Sequence, residues 1–430
     1  MDRKRNDWID IAKTAGILGG VLQSLRQETF MKYLADYDVN RGRQPEIDCL
    51  KALVIIIMIF LHTFEGCTEG NSVAYYILTY LECLTGAGTF MFCMGIGARY
   101  SRHQTPKDYL RRGFELLTVG QALNLVRTSL PNLIIWWVNG DRACLSNALL
   151  IIEADILSFA GFAFIMLALL KQMRFSDGVI VLIGIIMNAF AYVLFYIFHT
   201  TGNFLVDQLL GYFIITDAES YFPLCSYFVF VAFGYALGGI YMRIRTKDAL
   251  SVRVLLLCGP IAIGYYLLRA FVPFSLLPEF NSIEMYIMKP VTDALANILM
   301  SVFLLAVFHI LLRHKEAPML VTHLSGHINQ YYCISWVLIV PMNILLVIVR
   351  GEKMSGMLAP LLYSLIVLAI CYFYISWVDK RKLPNSITKL KSPWNVVAIT
   401  IVWLLTFAIV VYVYPRITEY ATIWNDYLGY

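Results

Sequence analysis

The sequence predicts an all-α, polytopic membrane protein, a helical bundle of about ten to eleven transmembrane helices. Of its 430 residues, 59% are hydrophobic and only 15% are charged, against roughly 25% charged in ordinary soluble domains. Runs of about 20 mostly apolar residues, the length a helix needs to cross a bilayer, recur along the whole chain. The connections between these runs alternate between rich and poor in Lys and Arg, the pattern that the positive-inside rule produces. The net charge of +5 is small, and no basic stripe with interleaved aromatics points to nucleic acid.

Residues 1–45 carry Arg3, Lys4, Arg5, Lys13, Arg26, Lys32, Arg41 and Arg43, and their apolar stretch A-G-I-L-G-G-V-L is too short and glycine-broken for a secretion signal. This segment is expected to stay in the cytoplasm, with W-I-D-I-A-K-T-A-G-I-L-G-G-V-L as an interfacial helix. Spans are expected at 50–66, 73–97, 113–138, 148–170, 178–198, 223–242, 250–272, 289–312, 326–349, 358–378 and 394–414. The basic connections 99–112, 171–174, 242–247, 312–315 and 379–391 then fall inside, and 67–72, 139–147, 199–222, 273–288 and 350–357 fall outside. The expectation is a multi-pass cell-membrane protein, N-terminus cytoplasmic, with a transmembrane domain over 46–414 and an external aromatic-rich tail over 415–430. Within 199–222, L-V-D-Q-L-L-G-Y-F-I-I-T is too short to span and too apolar for a free loop, and reads as a re-entrant or interfacial piece. No gap holds a soluble domain, so any chemistry takes place in or at the membrane.

The first span contains E-I-D-C-L-K-A-L-V-I-I-I-M-I-F-L-H, from Glu46 to His62. At about 100° per residue, Asp48, Lys51, Ile55, Met58, His62, Glu65 and Glu69 share one face, and Lys51 and His62 are separated by about 16 Å of helix. Ionisable groups at such depth are costly and mark functional sites by default. The plainer alternative is that Lys51 snorkels and pairs with Asp48 while His62 bonds a neighbouring helix.

A basic residue, ten intervening positions and a histidine on the first core helix resemble the R-x10-H motif of the integral-membrane acyltransferase superfamily. T-F-M-F-C-M-G-I-G-A-R-Y-S-R (89–102) is similar to that superfamily's second helix and basic exit, especially in the branch of heparan-α-glucosaminide N-acetyltransferase. A-D-I-L-S-F-A-G-F-A-F (154–164) and Y-F-P-L-C-S-Y-F-V-F-V-A-F-G-Y-A-L-G-G (221–239) look like later helices of the same branch, so the likeness runs over most of 45–350. Position 51 is Lys where the motif commonly has Arg, which replaces a planar fork by a flexible point charge. C-T-E-G-N-S, beyond this helix, lacks the histidine found there in the heparan enzyme. The resemblance therefore implies an acyltransferase in which His62 is the general base, oriented by Glu65. Acetyl-CoA or another acyl-CoA is the implied donor, its phosphates meeting Lys51, Arg99, Arg102, Arg111 and Arg112. A carbohydrate or cell-envelope compound is the implied acceptor. Membrane lipids are further partners, and a homodimer stays open.

Arg127, in L-N-L-V-R-T-S-L-P, either holds a phosphate or acyl carbonyl or forms a buried ion pair with Glu82, Glu153 or Asp155. S-G-H-I-N-Q-Y-Y (325–332) either lines a cofactor mouth or caps and bonds neighbouring helices. His323 and His327 have H-x3-H spacing, but no carboxylate or thiolate lies nearby in sequence, so no metal is expected. The nine cysteines are scattered in apolar runs with no C-x-x-C pair and read as small hydrophobes. The rival function is a transporter or flippase for an organic anion or glycolipid, which would also bury charges. The matching pair of interrupted helices expected of inverted repeats is missing from the two halves.

Overall fold

The computed structural model describes residues 33–68, 72–198, 200–216, 220–271, 289–313, 315–350 and 352–417. The expected interfacial helix and most of the aromatic tail lie outside them, as does Glu69. The protein is an all-α polytopic membrane protein. Among the described residues, ten helices are long and apolar enough to cross a membrane.

In chain order the helices are α1 (Pro45–Cys67), α2 (Val73–Thr85), α3 (Ala87–Tyr100), α4 (Pro106–Asn124), α5 (Leu130–Asn139), α6 (Arg142–Asn147), α7 (Ile156–Gln172) and α8 (Asp177–Phe198). They continue with α9 (Phe204–Gly211), α10 (Leu224–Tyr241), α11 (Lys247–Phe271), α12 (Val291–Leu312), α13 (Met319–Gly326), α14 (Ile328–Arg350), α15 (Leu358–Lys380) and α16 (Trp394–Val413). The span expected at 113–138 is present as α4, a π-helical turn at Leu125–Ser129 and α5. It is too polar to count among the ten because its Gln121, Asn124, Arg127 and Asn132 turn into the protein, where all four are buried. The stretch expected as a re-entrant or interfacial piece contains α9, a short helix whose Asp207 and Gln208 are buried.

The core is built on a close pairing of α3 with α10. A side chain on Gly95 would come within 2.2 Å of the Val231 carbonyl oxygen, and one on Gly234 within 2.0 Å of the Phe92 carbonyl oxygen. Glycine is therefore required at both places, because in a membrane helices associate through backbone approach rather than through apolar burial. Phe92, Phe228, Phe230 and Tyr235 fill the space around this contact.

Three breaks in regular helix shape the interior. The α2/α3 span is interrupted at Gly86; the Cys83 and Leu84 carbonyls freed there accept from Asn297 Nδ2 at 3.3 and 3.0 Å, and Glu82 Oε1 accepts from the Ala87 N–H at 3.2 Å. The π-helical turn precedes Pro131, whose missing N–H leaves the Arg127 carbonyl without its usual i+4 donor. Before α7, a 3₁₀ turn at Ala148–Ile152 gives way to extended backbone at Glu153, and Asp155 caps the Ile156 N–H at 2.6 Å. Irregular backbone at this depth is tolerated only where protein rather than lipid surrounds it, and all three breaks face the interior.

The connections of one sign also find each other. Ala35 N–H donates to the Arg243 carbonyl at 2.7 Å, Lys247 pairs with Glu46 at 2.8 Å, Arg99 with Asp177 at 3.1 Å, and Arg43 reaches the Thr322 carbonyl at 2.6 Å. At the other end, Met354 N–H donates to the Cys67 carbonyl at 2.7 Å. The basic connections are thus knit together, away from the end where α1 finishes.

Candidate active site

α1 runs with its charged stripe against the bundle. Pro45 opens the helix, where a missing N–H costs nothing. Asp48 is buried, ion-paired with Arg43 and accepting from Ser325 Oγ at 2.5 Å. It is therefore unavailable to Lys51. Lys51 is half-buried, makes no hydrogen bond or ion pair among the described residues, and points at α3, where a side chain on Gly97 would lie 3.9 Å from its Nζ. Ile55 is fully buried and interrupts the stripe; Met58, His62 and Glu65 are half-buried beyond it.

His62 Nδ1 lies 2.8 Å from Glu65 Oε2, one turn further along α1. A carboxylate only accepts, so this contact places the imidazole proton on Nδ1 and leaves the Nε2 lone pair free. No residue among those described engages Nε2. The ring packs at 4.5 Å between centroids on Trp336 of α14. The guanidinium carbon of Arg127 stands 4.9 Å from the centroid of the same indole, a cation–π contact.

Arg127 Nη2 lies 3.3 Å from Glu153 Oε2 and 3.4 Å from Asp155 Oδ2, with all three side chains buried. Tyr332 OH, one turn before Trp336, donates to Asp155 Oδ1 at 2.5 Å. The π-helical turn and the extended segment before α7 bring Arg127 and the two acids together. Of the three acids expected as partners for Arg127, the structure supplies Glu153 and Asp155, whereas Glu82 caps α3. Among the buried polar atoms without a hydrogen-bond partner among the described residues are Trp336 Nε1 and Glu82 Oε2. Buried polar groups are nearly always paired, so both atoms are exceptions, and both are closed to solvent.

His62, with Glu65 behind it, and Arg127 therefore meet at Trp336. Lys51 stays three turns away, on the helix face that meets α3. Arg99, at the end of α3, donates to Tyr235 OH at 3.0 Å and is ion-paired with Asp177. Arg102 is exposed in the following loop, and Arg111 and Arg112 both lean on Glu115, at 3.1 and 3.4 Å. These four arginines line the basic end, apart from the histidine. Trp336 carried no expectation from sequence. Its spacing of four from Tyr332 places both on one face of α14, but nothing in the sequence says which helix that face meets.

A family profile described as heparan-alpha-glucosaminide N-acetyltransferase, catalytic, matches residues 43–271. That stretch contains α1 to α11, with Lys51, His62, Glu65, Arg127, Glu153 and Asp155, and stops short of Tyr332 and Trp336. No curated protein and no solved structure matches the chain.

Proposed function

We propose, because this chain belongs to the heparan-alpha-glucosaminide N-acetyltransferase family of membrane acetyltransferases, that it moves an acyl group from cytosolic acyl-CoA to a carbohydrate or cell-envelope acceptor. Acetyl-CoA is the simplest donor. The observation that carries this reading is the His62–Glu65 pair at 2.8 Å, on a helix that also holds Lys51, with neither His62 Nε2 nor Lys51 paired among the described residues. The nearby free donor of Trp336 supports it.

In the proposed reaction His62 Nε2 takes the proton of the attacking amine or hydroxyl as it adds to the thioester carbonyl. The developing oxyanion accepts from Trp336 Nε1. Collapse breaks the C–S bond, and the imidazolium returns its proton to the CoA thiolate, so the products are the acylated acceptor and free CoA. Glu65 holds the Nδ1 tautomer and stabilises the imidazolium. The donor's phosphates are drawn by Lys51 and the basic end, where Arg102, Arg111 and Arg112 are the most exposed of the cations considered. Arg127, already neutralised by two acids, serves to position the indole.

Replacing His62 by Ala tests the reaction. A general base contributes about 10²- to 10⁴-fold in turnover, so His62→Ala should lose activity by that factor while the purified protein retains CoA binding and thermal stability. Lys51→Arg should be tolerated and Lys51→Ala should weaken donor binding. Near-normal turnover in His62→Ala would overturn the mechanism and leave a transporter as the better reading.

A further inference from the structure

A second cluster of ligating side chains stands at the basic end, away from the proposed reaction and outside the family match. His323 of α13 and His327, four residues on, meet Asp379 from the last turn of α15. One ligand atom from each of the three lies within 4.8 Å of the others. Tetrahedral zinc with bonds of about 2.0–2.2 Å spaces its ligands about 3.3–3.6 Å apart, so small side-chain rotations gather this set around one ion.

The outer ring atoms are arranged as metal ligation requires. His327 Nδ1–H donates to the His323 carbonyl at 3.0 Å, which turns Nε2 to Asp379 Oδ2, 2.9 Å away. His323 Nδ1 contacts Tyr331 OH at 2.9 Å, which turns its Nε2 inward to Ser376 Oγ at 3.2 Å. In metal sites a ligating histidine characteristically gives its other nitrogen to a carbonyl, hydroxyl or carboxylate, which fixes tautomer and ring orientation. Here both histidines have such a partner, and both Nε2 atoms converge on α15. Asp379 is 42% exposed on its side chain, so an ion can enter and a fourth position remains for Ser376 or water.

We propose that His323, His327 and Asp379 bind one divalent transition-metal ion, zinc by the chemistry of the donors, and that it fastens the start of α14 to the end of α15. Two imidazoles and one carboxylate with an open fourth position suit zinc and also cobalt. The clamp sits at the root of the helix that carries Tyr332 and Trp336. The proposal does not rest on the acyl-transfer reading, and its failure would leave that reading untouched.

The test uses the untagged full chain in detergent, stripped with a chelator and titrated with Co²⁺ alone. The expected result is one equivalent bound per chain with the visible d–d bands of a tetrahedral nitrogen and oxygen set, displaced by Zn²⁺, and a melting temperature raised by Zn²⁺. His323→Gln and Asp379→Asn should each weaken cobalt binding by more than the 10- to 100-fold that loss of an outer partner costs, with helical circular dichroism unchanged. If His323→Gln does not fold, the wild-type stoichiometry and Asp379→Asn, at a half-exposed position, decide the matter. Binding below one equivalent in the wild type, or undiminished binding in a folded variant, would overturn the site.

Discussion

Arg127 shows how a single residue is settled by its neighbours. It is buried between Glu153 and Asp155 under the Trp336 indole, and each of these groups would be costly to bury alone. Removing one member of a buried ion pair leaves an uncompensated charge and typically costs about 3–5 kcal/mol. Arg127→Ala should therefore destabilise the protein by about that amount in denaturant unfolding, and adding Glu153→Gln should recover part of the loss. An Arg127→Ala protein as stable as the wild type would mean that the acids are neutral without it. His62 differs in kind: its ring is half-buried and its Glu65 partner is on its own helix, so its loss should cost activity and little stability.

At the level of elements, the α3–α10 pair fixes the position of α1's partner face. The backbones approach so closely at Gly95 and Gly234 that no side chain fits. Overpacking a tight core costs about 1–3 kcal/mol, and here the obstacle is backbone rather than a movable side chain. Gly234→Val should lower the melting temperature and, by moving α3 relative to Lys51, weaken donor binding. Gly264→Val, on α11 with nothing within 4 Å, is the matched control and should leave both unchanged. Equal behaviour of the two variants would show that the α3–α10 contact bears no strain. The interrupted helices follow a different logic: Asn297 and Glu82 pair the groups freed at Gly86, so the break survives in an apolar setting.

For the molecule as a whole, the alternation of basic connections predicts the orientation, and if the segment from Pro106 to Asn139 crosses besides the ten apolar helices among the described residues, the two ends lie on opposite faces. Reporter fusions after residue 382 should read cytoplasmic and fusions after residue 417 external. Both reading the same side would mean that the segment from Pro106 to Asn139 does not cross. That segment is the critical one, because its polar residues lower its apolar character while its 34 helical positions, from Pro106 to Asn139, give ample length to span.

The sequence by itself determined the class of the protein, the number of its spans to within one, and a charged face on its first core helix, since lipid imposes length and hydropathy on every crossing segment. It also put His62 and Glu65 one turn apart, because helical periodicity is local. The tertiary structure alone decided what that face meets. Trp336 comes from 274 positions further along the chain than His62, Arg127 is neutralised by acids beyond a helical break, and Asp379 completes a histidine pair that looked incomplete in sequence. Each of these contacts joins helices whose apolar surfaces are alike in composition, and only the packing of small residues and the pairing of buried charges selects which faces come together.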